Sequence, residues 1–395
     1  MPSPPVLLRD IFTTNRGSDW SSVGSLGAGK RGAPLQRLDR LQEVASLALE
    51  GREQLEGERW GCADIGTDHG LLAICLHANG ASVVAGDRAA EPLRVARANV
   101  SLYLQRVRDC SSTGADPMPG EASLAGNRVA GSPDAAAGFA APVEVPRLEC
   151  RLGDGLAVLE EGEVDTVCIA GVGVKTMIQI LSAEDRTSLE GHRRQELSHA
   201  EEGSVPYGLG VRRLVLQPMD ARLEYMRGMR VWLRENGWKI TEETLVSTPG
   251  KGGNHAFLTL RADWAGNLRD LPNCDPGRQE QSDWLGDFLP ARAIGIGCKQ
   301  GQRERQEAAR FLAYLRHQRD WLRAIERARS PRKRDSFPSS QGEEIPEMID
   351  KLVAAVEKNI QRSGVADEEE RLVTARRWQK AATTTPQGTT PEAVS

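Results

Sequence analysis

The segment ADIGTDHG, residues 63–70, decides the fold because it places acids and glycines where a short apolar run ends. The run WGCADIG at 60–66 predicts a buried strand, and the apolar stretch Leu71 to Leu76 predicts a helix that packs back on it. Gly66 and Gly70 permit a tight turn and the close approach of a ligand, and the N–H groups of a helix start attract polar oxygens. The segment therefore predicts a strand, a turn that binds a ligand, and a helix.

The same pattern recurs along the chain and predicts one sheet. Further strand-like runs are ASVVAGD (81–87), PRLECRLG (146–153), VDTVCIAG (164–171) and RRLVLQP (212–218), with helical patterns between them. GWKITEETLV (237–246) and HAFLTLRA (255–262) then follow without a helix, joined by the turn-rich STPGKGG. Five strands that alternate with helices and end in a β-hairpin are the layout of the class I, Rossmann-like methyltransferase sheet of seven strands. The predicted fold class is therefore α/β.

Composition divides the chain into parts. Residues 111–142 contain 9 Ala, 5 Gly, 4 Pro and 4 Ser, too little apolar surface to offset the entropy of ordering, and a second polar stretch covers 184–208. Beyond residue 300 two helical patterns show heptad spacing: Phe311, Leu315, Leu322 and Ile325, then Ile345, Met348, Leu352, Val356 and Ile360. We predict a disordered or targeting extension at 1–34, a Rossmann-like domain at 35–265 with insertions at 111–142 and 184–208, a helical coiled-coil arm at 266–378 and a disordered tail at 379–395.

Charge and cysteine usage exclude several classes of protein. The formal net charge of −4 argues against a chain coated with basic residues, so any basic face must be local. The seven cysteines show neither a zinc spacing nor a disulfide framework, and we expect no bound metal. No apolar stretch approaches the roughly 20 residues that cross a bilayer. We expect a soluble intracellular protein of the cytoplasm, with a plastid or mitochondrial location as the alternative, and the oligomeric state stays open.

Three acids stand at the ends of three successive predicted strands. Asp68 occupies the middle glycine of a dinucleotide fingerprint, where it would repel a pyrophosphate but attract the ammonium and sulfonium of S-adenosylmethionine. Asp87 ends the second strand, where a carboxylate can accept both ribose hydroxyls, and Asp154 follows the third. Each acid alone could equally cap a helix. Together they predict a cofactor crevice for S-adenosylmethionine.

Six segments, DRLQEVASL, ADIGTDHG, RLGDGLAVL, IAGVG, RLVLQP and NGWKI, occur in the order in which they stand in the bacterial TrmK family of tRNA (adenine-22-N1)-methyltransferases. The chain resembles that family from about residue 36 to 380 with the insertions removed. The resemblance implies S-adenosylmethionine as cofactor, tRNA as partner, methylation of adenine N1, and an arm that helps to hold the tRNA.

The resemblance also implies roles for individual residues. The cofactor residues are Asp64, Gly66, Thr67, Asp68, Asp87, Arg88, Asp154, Gly155, Ala170 and Gly171. The substrate-facing residues are Arg40, Gly173 and Gln217, and the catalytic candidates are Asp68 and His69. For His69 two interpretations stay open, orientation of the base and a purely structural hydrogen bond.

The chain departs from the family pattern at Leu71, Val174 and Met219, all near the expected base pocket. These departures raise the alternative of an inactive, methyltransferase-like RNA-binding protein. A nicotinamide-dependent oxidoreductase is disfavoured by Asp68 and by the closing hairpin. Residues 299–335 carry 12 Lys or Arg and 5 Asp or Glu, an excess that suits a phosphate backbone, although a solvated coiled-coil surface would look the same.

Overall fold

The computed structural model describes residues 33–51, 60–113, 146–182, 205–250, 253–266, 276–294, 302–328 and 339–362. The predicted N-terminal extension, most of both insertions and the C-terminal tail lie outside these residues. Contacts divide the chain into two compact units. The first contains Met1–Val246 and Phe257–Phe288, and the second contains Ser247–Ala256 and Leu289–Ser395.

A seven-stranded sheet forms the centre of the first unit. Its strands are β1 (Gly61–Ile65), β2 (Ser82–Asp87), β3 (Leu148–Leu152), β4 (Thr166–Ala170), β5 (Arg213–Gln217), β6 (Trp238–Gly250) and β7 (Gly253–Trp264). They lie in the order β3-β2-β1-β4-β5-β7-β6, with the first five parallel and β7 antiparallel to β5. Because the chain starts in the middle of the sheet and leaves in both directions, the carboxyl ends of β1 and β4 flank a crevice. The order confirms the predicted α/β class.

Helices connect and cover the strands. They are α1 (Ala33–Leu49), α2 (Leu71–Ala78), α3 (Ala90–Thr113), α4 (Val174–Leu181), α5 (Val205–Gly208), α6 (Leu223–Glu235), α7 (Pro276–Leu285), α8 (Phe288–Ile294), α9 (Gln302–Ala328) and α10 (Ser339–Arg362), with a 3-10 turn at Gly155–Val158. α1 packs on the sheet through the buried residues Val44 and Ala45. At its C-terminus the Arg213 guanidinium donates to the carbonyls of Ala48 and Glu50, which satisfies carbonyls that the helix itself leaves free.

The second insertion ends earlier than the sequence predicts. Residues 205–208 form the short helix α5, within the stretch predicted as an insertion up to residue 208. Tyr207 stacks on Trp264 with ring centroids 3.9 Å apart, and the N–H of Val211 donates to the carbonyl of Pro206. Packing against an aromatic residue of β7 orders a segment whose composition alone indicates a loop.

The first unit also extends past the predicted domain boundary at residue 265, because α7 packs on α6. Arg230 of α6 donates to the Glu243 carboxylate at 2.9 Å and to the carbonyl of Trp284, and Arg234 pairs with Asp283. Arg230 and Glu243 are both buried. A buried ion pair needs such additional hydrogen bonds to offset its desolvation, and here α7 supplies them.

In the second unit α9 and α10 pack against each other. Arg316 pairs with Glu357, and Arg319 and Arg323 both pair with Asp350, so the two helices run antiparallel. The buried positions keep heptad spacing, at Ala308, Phe311, Leu315 and Gln318 on α9 and at Ile345, Ile349, Leu352 and Val356 on α10. Ile349 therefore takes the seam position that the sequence assigns to Met348, which is only half-buried. The supercoil itself stays a prediction.

Among the described residues, no helix combines the length and the apolar character that a membrane span requires.

Candidate functional site

The loop after β1 has the tight geometry that its glycines predict. Gly66 and Gly70 have φ values of 77° and 74°, and Asp68, at 50°, is the one non-glycine residue with positive φ in the described part of the chain. The N–H groups of Gly66 and Thr67 both donate to the carbonyl of Gly86, at 2.8 and 3.0 Å. The loop is thereby tied to the end of β2, and an aspartate tolerates the left-handed conformation better than most residues do.

Asp64 lies beneath this loop with only 3% of its surface exposed. The Thr67 hydroxyl donates to its carboxylate at 2.6 Å. Burial raises the pKa of Asp64 to about 6, because desolvation outweighs the hydrogen bonds from Thr67 and the Ala73 backbone, and the charges of Asp87 and Asp68 add to the rise. A ligand that brings a positive charge to the loop would favour the ionised carboxylate.

Asp87 holds two loops together. Its carboxylate accepts the N–H of Asp68 at 3.2 Å and the N–H of Ala89 at 2.8 Å. The second bond is a local turn just before α3, which supports the capping interpretation of Asp87. The cofactor interpretation stays a prediction. The neighbouring Arg88 is exposed.

Asp154 differs from Asp87 because its side chain makes no capping hydrogen bond to the 3-10 turn that follows it. It is exposed, and the N–H of its neighbour Gly153 donates to the Asp87 carbonyl at 3.1 Å. A Cβ on Gly86 or on Gly153 would lie 2.8 or 2.7 Å from the Val158 side chain, so only glycines let these two strand ends approach. The structure thus brings the three predicted acids to one edge, and the capping interpretation fails for Asp154.

A charged clamp, which sequence reasoning missed, braces the loop of Asp154 and Gly155. Arg151 donates to both oxygens of the Glu163 carboxylate, at 2.7 and 2.5 Å, and to the Val158 carbonyl. Glu163 also accepts the N–H of Glu160. The clamp joins the two ends of the loop. In the sequence it consists only of an Arg and a Glu twelve positions apart, and such pairs are too common to indicate a contact.

On the other side of the crevice, the chain after β4 meets the end of β5. Ala170 pairs with Gln217, and the N–H of Gly171 donates to the Gln217 carbonyl at 2.9 Å. Gly171 has a φ of 80°, and a Cβ there would lie 3.4 Å from a guanidinium nitrogen of Arg40. The structure therefore brings together Arg40, Gly171 and Gln217, which belong to three distant segments of the sequence. Gly173 is exposed and begins α4.

Gln217 is fully buried rather than open to substrate. Its amide nitrogen donates to the Pro218 carbonyl at 2.6 Å, whereas its amide oxygen has no partner among the described residues. Phe257 of β7 also belongs to this cluster, because the Arg40 guanidinium lies 5.1 Å from its ring centroid. Sequence reasoning missed Phe257, although it is the single aromatic residue in the predicted strand HAFLTLRA.

His69 has features of both interpretations that the sequence leaves open. Its carbonyl accepts a hydrogen bond from the Asn99 side chain, which is a structural contact to α3. Its ring nitrogen Nε2 lies 3.4 Å from the Asp68 carboxylate, while Nδ1 is buried without a hydrogen-bond partner in the part of the chain that the structure describes. Nδ1 is therefore available to a ligand.

The residues present fit S-adenosylmethionine. A Cβ on Gly66 would meet only Val172, at 3.9 Å, so the loop leaves room above the glycine. Asp64, Asp68 and Asp87 give the edge the negative charge that suits the donor's ammonium and sulfonium groups. Clusters of His, Cys, Asp or Glu able to hold a metal ion are absent from the described residues.

The three departures from the TrmK pattern fall into two groups. Leu71 and Val174 are buried at the starts of α2 and α4, where they pack against the core. Met219 is 61% exposed, directly after the Gln217–Pro218 pair, and its N–H donates to the Val172 carbonyl at 3.0 Å. Only Met219 therefore presents an altered side chain to the crevice.

Comparisons with known proteins found the following similarities. A family model described as a methyltransferase domain matches residues 39–124 and 141–199. The chain is similar in structure to the tRNA methyltransferase TrmK of B. subtilis, with 17% identity, 81% of this chain and 97% of that chain covered, and a TM-score of 0.42. It is also similar to magnesium protoporphyrin IX methyltransferase of Synechocystis PCC 6803 with bound S-adenosylmethionine, with 16% identity, 65% and 95% of the two chains covered, and a TM-score of 0.34.

No curated protein sequence matches the chain. The family match and the strand order are those of a methyltransferase domain.

Proposed function

We propose that this chain methylates nitrogen 1 of an adenine in tRNA, with position 22 as the expected site. The observation that carries the proposal is the proximity of Arg40 to Gly171, where an added Cβ would lie 3.4 Å from a guanidinium nitrogen. Arg40 belongs to the segment DRLQEVASL and Gly171 to IAGVG, two of the six segments in which the chain resembles the TrmK family. They meet at the end of β4, beside the cofactor edge, where an acceptor base has to lie.

The chemistry needs alignment more than proton transfer. S-adenosylmethionine supplies a methyl group on a positively charged sulfur. The in-plane lone pair of adenine N1 forms the new N–C bond while the C–S bond breaks and its electron pair goes to sulfur, so the base becomes cationic. Holding the two reactants in line and placing negative charge near the base are then the main contributions of the protein.

Asp68 and His69 are the residues proposed to act on the reacting groups. Asp68 projects from the glycine loop with 61% of its side chain exposed, so its carboxylate can stabilise the charge that develops on the base. His69 Nδ1 can accept or donate a hydrogen bond to the base, because it has no partner among the described residues. Asp87 and Asp154 hold the ribose and the adenine of the cofactor.

Several arginines of the arm are already paired with carboxylates, which leaves fewer positive charges to bind tRNA phosphates. Arg316, Arg319 and Arg323 all pair with carboxylates of α10, whereas Arg310 is exposed on α9. The phosphate-binding role proposed for the arm therefore falls to residues such as Arg310 and not to every arginine of the stripe.

The second candidate function is an inactive RNA-binding protein, and the observation that favours it is the exposed Met219 in the acceptor crevice. Asp64, Asp87 and Asp154 lie at one edge of the sheet, which favours the enzyme, because an inactive RNA-binding protein has no need of a donor site.

The test is a methyl-transfer assay with purified protein, labelled S-adenosylmethionine and unmodified tRNA, followed by identification of the product nucleoside. We expect 1-methyladenosine. Donor binding without transfer to any tRNA would favour the inactive RNA-binding protein, and a different methylated nucleoside would overturn the adenine N1 assignment.

A further inference from the structure

Arg40 and Phe257 form a flat, charged pair at the acceptor crevice. The guanidinium carbon of Arg40 lies 5.1 Å from the Phe257 ring centroid, and both side chains are half-buried. The pair joins α1 to β7, two elements that lie far apart in the sequence. An arginine within about 6 Å of an aromatic ring forms a cation–π contact. Guanidinium planes and aromatic rings are both groups on which RNA bases stack.

The position of this pair is fixed by Gly171. A guanidinium nitrogen of Arg40 would lie 3.4 Å from a Cβ on Gly171, and the N–H of Gly171 binds the Gln217 carbonyl. The pair therefore stands at the carboxyl ends of β4 and β5, next to the loop that the cofactor acids line. A base bound there would present its edge toward the cofactor.

The register of β5 and β7 places a polar group on the same face of the sheet. Leu216 pairs with Leu260, so the antiparallel register continues to Gln217 opposite Thr259. Phe257 lies two residues from Thr259 and therefore on the same face as Gln217. Gln217 and Thr259 are both fully buried, and each has a side-chain oxygen without a partner among the described residues.

The orientation of the Gln217 amide follows from its neighbour. Its nitrogen donates to the Pro218 carbonyl at 2.6 Å, and the reversed amide would set two oxygens against each other. The amide oxygen is thus the group left unsatisfied. A buried acceptor without a donor costs free energy, which a ligand with an N–H group would restore.

From these contacts we infer that the Arg40–Phe257 pair is the stacking surface for the target base, and that the Gln217 amide oxygen, which is buried in the ligand-free protein, becomes accessible when the base enters and accepts a hydrogen bond from its exocyclic amino group. The inference rests on the proposed function and deepens it. Unstacked bases in RNA commonly stack on aromatic rings and guanidinium planes, and their edges are read by amide groups.

This arrangement selects among bases. Adenine carries an amino group beside its N1, so a single acceptor next to the transfer site fits it. Uracil carries carbonyl oxygens on both sides of the corresponding ring nitrogen, which would oppose the Gln217 oxygen. Guanine carries a carbonyl on one side and an amino group on the other, but its N1, like N3 of uracil, bears a proton at neutral pH and so has no free in-plane lone pair. Cytosine shares the amino group but is smaller, and it leaves part of the stacking surface uncovered.

The test compares Phe257→Leu with Phe257→Trp in the full-length protein, by steady-state kinetics on unmodified tRNA and by donor binding. Leucine keeps most of the apolar volume and loses the stacking face, so we expect kcat/KM for tRNA to fall about 10- to 100-fold, with donor affinity within about twofold of wild type. Phe257→Trp retains at least about a third of wild-type kcat/KM. Arg94→Lys, on the exposed face of α3, is the matched control.

A second pair of variants tests whether Gln217 recognises the amino group at the edge of the base. Gln217→Met removes the acceptor, and we expect a loss of about 10-fold or more in kcat/KM with an unchanged melting temperature. Gln217→Glu keeps an acceptor and retains more activity than Gln217→Met.

The outcomes separate this inference from the proposed function. If wild type produces 1-methyladenosine and Phe257→Leu matches it in kcat/KM, the stacking inference is overturned and the proposed function stands. If wild type methylates a base without an exocyclic amino group, the role of Gln217 and the adenine assignment are overturned together. A fall in donor affinity equal to the fall in kcat/KM would show that Phe257 supports the cofactor instead.

Discussion

The backbone N–H of Asp68 donates to the Asp87 carboxylate at 3.2 Å, which ties the glycine loop after β1 to the end of β2. Asp87 therefore anchors the loop, in addition to the ribose-binding role proposed for it. Asp68 is held in a left-handed conformation at the same point. This hydrogen bond holds the loop in its conformation before any ligand binds.

The left-handed backbone of Asp68 allows its conformational and chemical roles to be separated. Asp68→Gly and Asp68→Ala both remove the carboxylate, so we expect both to lower kcat. Because glycine adopts positive φ without strain, Asp68→Gly should be more stable than Asp68→Ala by about 1 kcal/mol. Thermal unfolding and kinetics of the two variants measure this. Equal melting temperatures would contradict the left-handed loop, and full activity in either variant would remove Asp68 from the chemistry.

The raised pKa of Asp64 predicts two opposite pH effects. The folded pKa of about 6 exceeds the ordinary 3.8, so the free energy of unfolding falls as the pH rises from about 4 to about 6. Donor binding needs the carboxylate and should weaken as the pH falls below about 6. We expect Asp64→Asn to stabilise the ligand-free protein by about 3 kcal/mol at neutral pH, and to bind the donor weakly at every pH.

Calorimetric titration with S-adenosylmethionine between pH 5 and 8, beside chemical denaturation, tests this prediction. A donor affinity that is flat across this range in wild type would contradict the role of Asp64. The matched control is Asp39→Asn, an exposed position on α1.

The clamp of Arg151 and Glu163 predicts that a residue outside the crevice governs donor affinity. Glu163→Gln keeps the size of the side chain but removes the charge that holds Arg151 at 2.5 Å. Since both side chains are about one quarter exposed, the loss of stability should be modest, about 1 kcal/mol. The freed loop of Asp154 should raise the dissociation constant for the donor about threefold to tenfold. Glu149→Gln, the more exposed partner of Arg151, should have a smaller effect on both measurements.

From the ion pairs of Asp350 we expect that removing its charge strengthens RNA binding by the arm and lowers the stability of the arm. It pairs with both Arg319 and Arg323, so Asp350→Asn removes one carboxylate partner from each of these arginines, together with two contacts between α9 and α10, while Arg319 keeps its pair with Asp320. We expect tighter tRNA binding with a steeper salt dependence, and a lower melting temperature. Arg310→Ala should weaken tRNA binding and reduce the slope against log salt by about one. Identical tRNA affinities in wild type and both variants would exclude the arm as a phosphate contact.

The sequence predicted most of the sheet. The strand-like runs in the sequence locate β1 to β5 within two residues. The hairpin strands run further than predicted, to Gly250 and from Gly253. The residue types of STPGKGG are typical of a turn, so the sequence did not indicate that both strands extend into this segment. The positions of Asp68, Asp87 and Asp154 at the ends of β1, β2 and β3 were visible in the order of residues, while their role in cofactor binding stays a prediction.

What the sequence could not show is pairing across long separations. The contact of Arg40 with Phe257 joins an N-terminal helix to the last strand, and nothing local to either residue indicates it. The burial of Gln217 likewise depends on its neighbours in three dimensions, although its place at the end of β5 was predicted. α7 was missed as part of the first unit because its anchors, Arg230 and Glu243, lie on other elements.

The central claim is that the edge formed by Asp64, Asp87 and Asp154 binds S-adenosylmethionine, and titration calorimetry with the purified full-length protein tests it most directly. We predict one donor site in wild type, and an affinity at least about 30-fold lower in Asp87→Ala, which loses both the ribose acceptor and the anchor of Asp68. Asp109→Ala, at the far end of α3, should bind as wild type does. Absence of donor binding in wild type, or equal affinity in Asp87→Ala, would contradict the account.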